Sequence, residues 1–154
     1  MPFCWFRYII PLRHARHKSR LITNETGILV SPLERAWVMQ MKLLIVDDHA
    51  AMRRMIGRVV NDMASDIEEC GDGSEALAAY RKYRPDCVLM DIEMSGVDGI
   101  TATREILTSF PGAKVVIVSK HDDKQIREAA RKAGACGYVL KDNLMAIREL
   151  LGKL

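Results

Sequence analysis

Residues 87–99 read CVLMDIEMSGVDG, four apolar residues followed by an aspartate and a loop rich in glycine and acidic groups. Four apolar residues are enough for a short buried strand, and the loop after such a strand is where parallel α/β sheets bind ligands. Apolar residues at helical spacing follow and end at Pro111-Gly112. We therefore interpret residues 87–112 as one strand–loop–helix unit.

The same alternation of a short apolar run and an amphipathic segment occurs five times after Lys42. The predicted strands are residues 43–46, 67–70, 87–90, 115–118 and 138–140. The first, third and fourth are continuously apolar, which indicates that helices cover both faces of a parallel sheet. The second is short and polar, which favours an edge position. The sequence predicts an α/β fold, a doubly wound (βα)5 sandwich.

Several local expectations follow from the same periodicity. Ser74 is predicted to cap the second helix, and His49 to lie in the first turn of the first helix. On that first helix Met55 is predicted to face the core, whereas Arg53, Arg54 and Arg58 are placed on the outer face.

Composition and charge restrict the possible functions. With 154 residues, 49% hydrophobic and 28% charged, the chain has the size and composition of one globular domain. Residues 1–40 hold six basic and two acidic residues, and the remainder holds 17 and 18, so the excess positive charge belongs to the extension. We therefore expect no direct nucleic-acid binding by the body of the chain.

The cysteines and the hydropathy pattern bear on localisation. Cys4, Cys70, Cys87 and Cys136 form neither a CxxC pair nor a zinc-binding cluster, and we interpret them as small buried residues of a reduced, cytoplasmic protein. No apolar run approaches the roughly 20 residues that span a bilayer, so we expect no membrane segment.

Residues 1–40 show no steady periodicity and no signal peptide, and Met39 and Met41 directly precede the first strand. We interpret 1–40 as an N-terminal extension, either poorly ordered or a misassigned start, and 41–154 as the folded domain. The alternative is a basic arm with aromatic residues that contacts a membrane or a partner.

Polar side chains follow four of the five predicted strands: Asp47-Asp48, Asp91, Ser119 and Lys141. The carboxyl ends of parallel strands meet at one edge, so these groups are predicted to converge. Three clustered carboxylates repel one another, and a hard cation such as Mg²⁺ would hold them together. With Asp91 as nucleophile, Ser119 as hydrogen-bond donor and Lys141 as positive charge, the set indicates phosphoryl transfer. Each residue alone has an ordinary structural explanation.

These segments, with residues 88–99 and 137–141, resemble the receiver family of response regulators over residues 42–154. Residues 119–123 and 133–138 are most similar to receivers of NarL/FixJ-type transcription factors, although no output domain follows here. The resemblance implies a flavodoxin-like fold with a five-stranded parallel sheet in the order 2-1-3-4-5.

The resemblance also implies roles for the site residues. Asp91 would be the phosphoacceptor and one of the ligands of a Mg²⁺ ion. Asp48 would ligate the ion directly, Asp47 mainly through water, and Glu93 through its backbone carbonyl.

The resemblance further implies a switch. Ser119 would bind the phosphoryl oxygen and Lys141 would pair with the phosphate. Tyr138 would change rotamer and alter the surface made by the fourth helix, the fifth strand and the fifth helix. Expected partners are a sensor histidine kinase or histidine phosphotransfer protein, a downstream protein target, and a second copy through that same surface.

Three functions stay open from the sequence. The chain is either a stand-alone relay, which is not a turnover enzyme, or the receiver part of a split or truncated NarL/FixJ-type DNA-binding regulator. A third possibility is a phosphohydrolase of the haloacid-dehalogenase type, but that family requires an aspartate where Glu93 stands.

Three positions depart from the common receiver pattern. Ser95 and Asp142 stand where proline is frequent, and we expect both to affect loop stiffness more than chemistry. Lys120 stands where a small residue is frequent, and we expect it either to cover the acyl phosphate or to add a second cation.

Overall fold

The structure is a computed structural model, and it describes residues 22–23, 29–30 and 41–154. The chain divides into two units, residues 1–37 and 38–154. In the first unit, two short strands pair in antiparallel fashion, with Ile22 opposite Val30 and Thr23 opposite Leu29. The expectations for the extension (poor order, a misassigned start or a contact arm) otherwise lie outside the described residues.

Residues 41–154 alternate strands and helices throughout. The strands are β1 Met41–Val46, β2 Ala64–Cys70, β3 Cys87–Met90, β4 Val115–Ser119 and β5 Gly137–Leu140. The helices are α1 Ala50–Val60, α2 Gly73–Tyr83, α3 Gly99–Ser109, α4 Lys124–Ala133 and α5 Met145–Leu151. All strand pairs are parallel, in the order β2-β1-β3-β4-β5. The predicted fold and strand order are confirmed.

Two apolar cores lie on the two faces of the sheet, and β1 contributes to both. Leu43 and Ile45 pack with residues of α1 and α5 on one face. Leu44 and Val46 pack with residues of α2, α3 and α4 on the other. All four side chains are fully buried. Full burial of each stabilises the fold by about 1.5–3 kcal/mol, so β1, an interior strand that ends at the site, is firmly held.

The edge strand β2 is longer than predicted. Its position beside β1 alone confirms the edge assignment, but it begins at Ala64 rather than Ile67. Pairing with β1 extends it: Lys42 lies opposite Asp66, and after a shift of register Met41 lies opposite Ala64. Exposed Asp66, Glu68 and Glu69 place like charges along the strand, which opposes pairing with another sheet edge.

Helix starts differ from the prediction at two places. The cap of α2 is Asp72, whose carboxylate accepts a 2.7 Å hydrogen bond from the backbone N–H of Ser74. Ser74 lies inside the helix because Gly73 can occupy the first position, where a Cβ would lie 2.1 Å from the carbonyl oxygen of Val97. His49 is the N-cap residue of α1, not part of its first turn.

Two predicted core residues are exposed. Met55 is 52% exposed. The buried stripe of α1 runs through Ile56 and Val60, and Met55, one residue before Ile56, lies beside this stripe rather than on it. Cys136 is exposed just before β5, whereas Cys70 and Cys87 are buried as predicted. Within the described residues, no helix has the length and apolar character needed to cross a membrane.

The cap of α3 gives a test of the fold. The Asp98 carboxylate accepts hydrogen bonds of 3.0 Å from the backbone N–H groups of Ile100 and Thr101. We expect Asp98→Ala to lower the free energy of unfolding by about 1 kcal/mol in chemical denaturation. Asp123→Ala is the matched control, because Asp123 caps α4 without a side-chain hydrogen bond, and it should change stability much less. Equal losses in the two variants would contradict the capping role.

Candidate functional site

Three predicted site residues are in direct contact at the carboxyl edge of the sheet. Lys141, which follows β5, places Nζ 2.8 Å from Oδ2 of Asp47 and 2.7 Å from Oδ2 of Asp91. The two carboxylates are 1% and 3% exposed, so the ion pairs are largely removed from water. Because β4 lies between β3 and β5, the long lysine side chain must cross β4 to reach both aspartates.

Burial and charge perturb the ionisation of this group. Burial raises the pKa of Asp91 and the neighbouring Lys141 lowers it, while the charge of Asp47 also raises it, and the net direction is upward. Burial lowers the pKa of Lys141, but its contacts with Asp47 and Asp91 raise it more. The lysine is therefore held in its charged form between two carboxylates.

Asp48 is fixed by the two loops beside it. Its Oδ2 accepts a 3.1 Å hydrogen bond from the backbone N–H of Ser95, and its Oδ1 lies 2.6 Å from Nδ1 of His49. The N–H of His49 also donates to Oδ1 of Asp47 at 2.8 Å. The expectation that Ser95 affects stiffness more than chemistry is incomplete, because proline has no N–H to donate to Asp48.

The acidic group fits a divalent cation. Ligand atoms of Asp47, Asp48 and His49 lie within 4.8 Å of one another. Oδ2 of Asp47 and Oδ1 of Asp48 are buried, and their close neighbours are Lys141 Nζ at 2.8 Å and His49 Nδ1 at 2.6 Å. Carboxylate oxygens are the ligands that Mg²⁺ prefers, whereas a histidine nitrogen is not. Asp91 is not one of these three residues. It is connected to Asp47 through Lys141, whose Nζ contacts both carboxylates.

Glu93 connects two loops at the rim. Its carboxylate contacts Lys120 Nζ at 2.5 Å and the ring of His121. Contacts with Lys120 and His121 lower the pKa of Glu93. Lys120 is thus paired with Glu93 and forms part of the wall of a cavity of about 340 Å³ that also exposes Asp91 and Lys141.

His121 links the predicted switch residues. Its backbone N–H donates to Oγ of Ser119 at 3.2 Å, and its carbonyl accepts a 2.7 Å hydrogen bond from the hydroxyl of Tyr138. The guanidinium of Arg127 stacks 4.4 Å from the centre of the Tyr138 ring. The sequence indicates no catalytic role for His121, and its main-chain contacts leave no pattern by which it could be found.

Arg53 does not lie on the outer face of α1, where it was predicted. Its side chain is only 18% exposed and turns inward from α1. Nη1 donates to the backbone carbonyl of Asp47 at 2.7 Å, and Nε donates to Glu69 at 2.7 Å. Helical periodicity gives the direction of the Cβ, but a long side chain can fold back over the helix end.

Comparison with known proteins identifies the family. Residues 43–153 match the model of the response regulator receiver domain, and the chain belongs to this family. It is 37% identical over 106 residues to the transcriptional regulatory protein DegU of Brevibacillus brevis, covering 67% of this chain and 44% of that protein. It is 35% identical over 116 residues to the response regulator GacA of Pseudomonas aeruginosa, covering 71% and 54%.

Solved structures support the same assignment. A LuxR-family two-component response regulator from Aurantimonas sp. superposes with a TM-score of 0.66 at 31% identity, covering 74% of this chain and 86% of that one. The chemotaxis protein CheY4 of Vibrio cholerae, at 23% identity, superposes with a TM-score of 0.69 over 74% of this chain and 98% of its own, and shows the fold alone.

The predicted resemblance to receivers of NarL/FixJ-type transcription factors is confirmed, since the relatives are NarL/LuxR-type response regulators. This is a receiver domain of the kind used in two-component systems, and the haloacid-dehalogenase alternative is set aside. The chain spans about half the length of the curated relatives it matches, 44% and 54% of the two named above.

The position of Lys141 gives a test of the site. Lys141→Ala leaves the buried carboxylates of Asp47 and Asp91 facing each other without a cation. We expect it to lower the free energy of unfolding by about 2 kcal/mol without added metal, less than for a fully buried pair because the lysine is 15% exposed.

Lys120→Ala is the matched control in the same denaturation experiment. Lys120 is 64% exposed and pairs with an exposed glutamate, so its loss should cost less than about 1 kcal/mol. A Lys141→Ala protein as stable as the control would show that Lys141 does not hold the carboxylates together.

Proposed function

We propose that this chain receives a phosphoryl group on Asp91 and transmits the event through a change of its surface. The observation that carries the proposal is the buried contact of Lys141 with both Asp91 and Asp47, beside the partly unsatisfied carboxylate of Asp48. The expected donor is a sensor histidine kinase or a histidine phosphotransfer protein.

Magnesium is the proposed cofactor. Asp48 and Asp91 would ligate it directly, Asp47 mainly through water, and the backbone carbonyl of Glu93 would complete the protein ligands. When bound, the ion neutralises charge on the phosphoryl oxygens. The donor set fits because it is rich in carboxylate oxygen and because ligand atoms of Asp47 and Asp48 lie within 4.8 Å of each other.

The residues of the chain then have distinct tasks in the transfer. A carboxylate oxygen of Asp91 forms the bond to phosphorus while the bond to the donor's imidazole nitrogen breaks. Lys141, held in its charged form within 3 Å of Asp91, pairs with the incoming phosphoryl oxygens. The wall of the cavity formed by Glu93 and Lys120 borders the approach to Asp91.

The proposed switch follows from the contacts of His121. If Ser119 moves toward a phosphoryl group on Asp91, the backbone of His121 moves with it, since the two are joined by a hydrogen bond. The Tyr138 hydroxyl then loses its partner, the His121 carbonyl, and the ring can turn. The surface formed by α4, β5 and α5 changes and becomes the binding surface for a downstream protein or a second copy.

A second candidate function is the receiver part of a DNA-binding regulator. It is favoured by the relatives, one of which is named a transcriptional regulatory protein and is about twice as long as the matched region. In this case the changed surface would act on a DNA-binding domain, in the same chain or a separate one. This candidate shares the phosphorylation step and differs only in the output.

The phosphorylation step is tested by Asp91→Asn. With Mg²⁺ and acetyl phosphate as donor, we expect intact-protein mass spectrometry to show one added phosphoryl group on the wild type and none on the variant, because the amide is not a nucleophile for phosphorus. Asp86→Asn is the matched control, since Asp86 precedes the same strand at its opposite end and should be labelled normally. Equal labelling of Asp91→Asn would show that another residue is the acceptor.

The switch is tested by Ser119→Ala with beryllofluoride, a phosphoryl mimic, and amide chemical shifts. We expect the variant to bind the mimic but to show shifts confined to residues near Asp91, because the loop lacks the hydroxyl that draws it inward. Ser109→Ala, on the exposed end of α3, should respond as the wild type does. Full shifts throughout α4 and α5 in Ser119→Ala would mean that the switch runs by another route.

A further inference from the structure

Arg53 differs from the other two arginines of α1. Its guanidinium joins the carbonyl of Asp47 to the carboxylate of Glu69, with both distances 2.7 Å. Within residues 41–154, Arg54 and Arg58 make no ion pair and no hydrogen bond. Of the three arginines of α1, Arg53 is therefore the one whose side chain is held by contacts beside the acidic loop.

We infer that Arg53 is a positioning residue for the Mg²⁺ site, an inference that rests on the function proposed above. It does not touch the carboxylates themselves. It holds the peptide group between Asp47 and Asp48, so that both side chains leave the backbone in the orientation needed to share one ion.

The geometry of Asp47 supports this role. Its N–H donates to the carbonyl of Cys70 at 3.1 Å, its Oδ1 accepts from the N–H of His49, and its carbonyl accepts from Arg53. The first contact fixes the backbone N–H of Asp47, and the second fixes its side chain. Among the contacts within residues 41–154, the one with Arg53 fixes the peptide plane that leads to Asp48.

Glu69 makes the arrangement compatible with a cation. An unpaired guanidinium beside the acidic loop would repel a divalent ion, but Glu69 balances the charge of Arg53 at 2.7 Å. Arg53 therefore acts through geometry rather than through charge. The end of β2 thereby holds Asp47 twice, through the Cys70 carbonyl and through the Glu69–Arg53 pair.

The test is the Mg²⁺ affinity of the full chain. It is measured from the amide chemical shifts of Asp47, Asp48 and Asp91 during titration with MgCl₂. We expect Arg53→Ala to raise the half-saturating concentration about tenfold, the lower end of the effect of removing groups that orient metal ligands. Arg54→Ala is the matched control, because it removes an arginine that makes no ion pair or hydrogen bond within residues 41–154. Its half-saturating Mg²⁺ concentration should stay within about twofold of the wild-type value.

Two further measurements separate positioning from general damage. Arg53→Lys keeps the charge but cannot make the forked contact, so we expect at least about a threefold loss of Mg²⁺ affinity in a folded protein. At saturating Mg²⁺, labelling of Arg53→Ala by acetyl phosphate should return to within about twofold of the wild-type rate, since the loss lies in metal binding.

The outcomes are distinguishable. A wild-type protein that shows no response to Mg²⁺ would overturn the proposed function itself. A wild type that binds Mg²⁺ and an Arg53→Ala protein of equal affinity would overturn only the role of Arg53. Wild-type affinity in Arg53→Lys, or slow labelling of Arg53→Ala at saturating Mg²⁺, would also overturn it.

Discussion

Repulsion among buried carboxylates at the ends of β1 and β3 is the constraint on which the rest of this structure depends. Asp47 and Asp91 are almost completely removed from water, and each contacts the same Nζ of Lys141. That lysine arrives from β5, on the far side of β4, so the sheet order determines whether the charges can be balanced. Burial of unpaired charge is costly, and the position of β5 therefore affects the stability of the acidic edge as well as its chemistry.

The sequence was sufficient to predict the sheet, its edge strand and the edge where polar groups meet. Apolar runs such as Val115–Val118 have one stable location in a two-sided parallel sheet, and the residue after each strand follows by geometry. The choice between neighbouring residues that both suit a helix cap was harder to predict. Ser74 and Asp72 both suit a helix cap, and the close approach of Gly73 to Val97, which decides between them, is a tertiary contact.

The supporting contacts of the site could not be read from the sequence. Ser95 and His121 act through backbone N–H and carbonyl groups, which every non-proline residue has, so their residue types carry no signal. Arg53 was misplaced for a different reason, because its side-chain rotamer depends on a glutamate on β2 that is 16 residues away. Residues that perform chemistry are therefore easier to recognise here than the residues that hold them in place.

The contacts of His121 have a consequence for how this domain can diverge. Those with Ser119 and Tyr138 use the main chain, whereas those with Glu93 and Asp123 use the imidazole. Substitution of His121 would leave the Ser119 hydroxyl and Tyr138 connected through the backbone, provided that the new residue has an N–H. Insertion or deletion of one residue between Ser119 and Asp123 would displace the carbonyl and disconnect them. The loop can therefore vary in composition far more freely than in length.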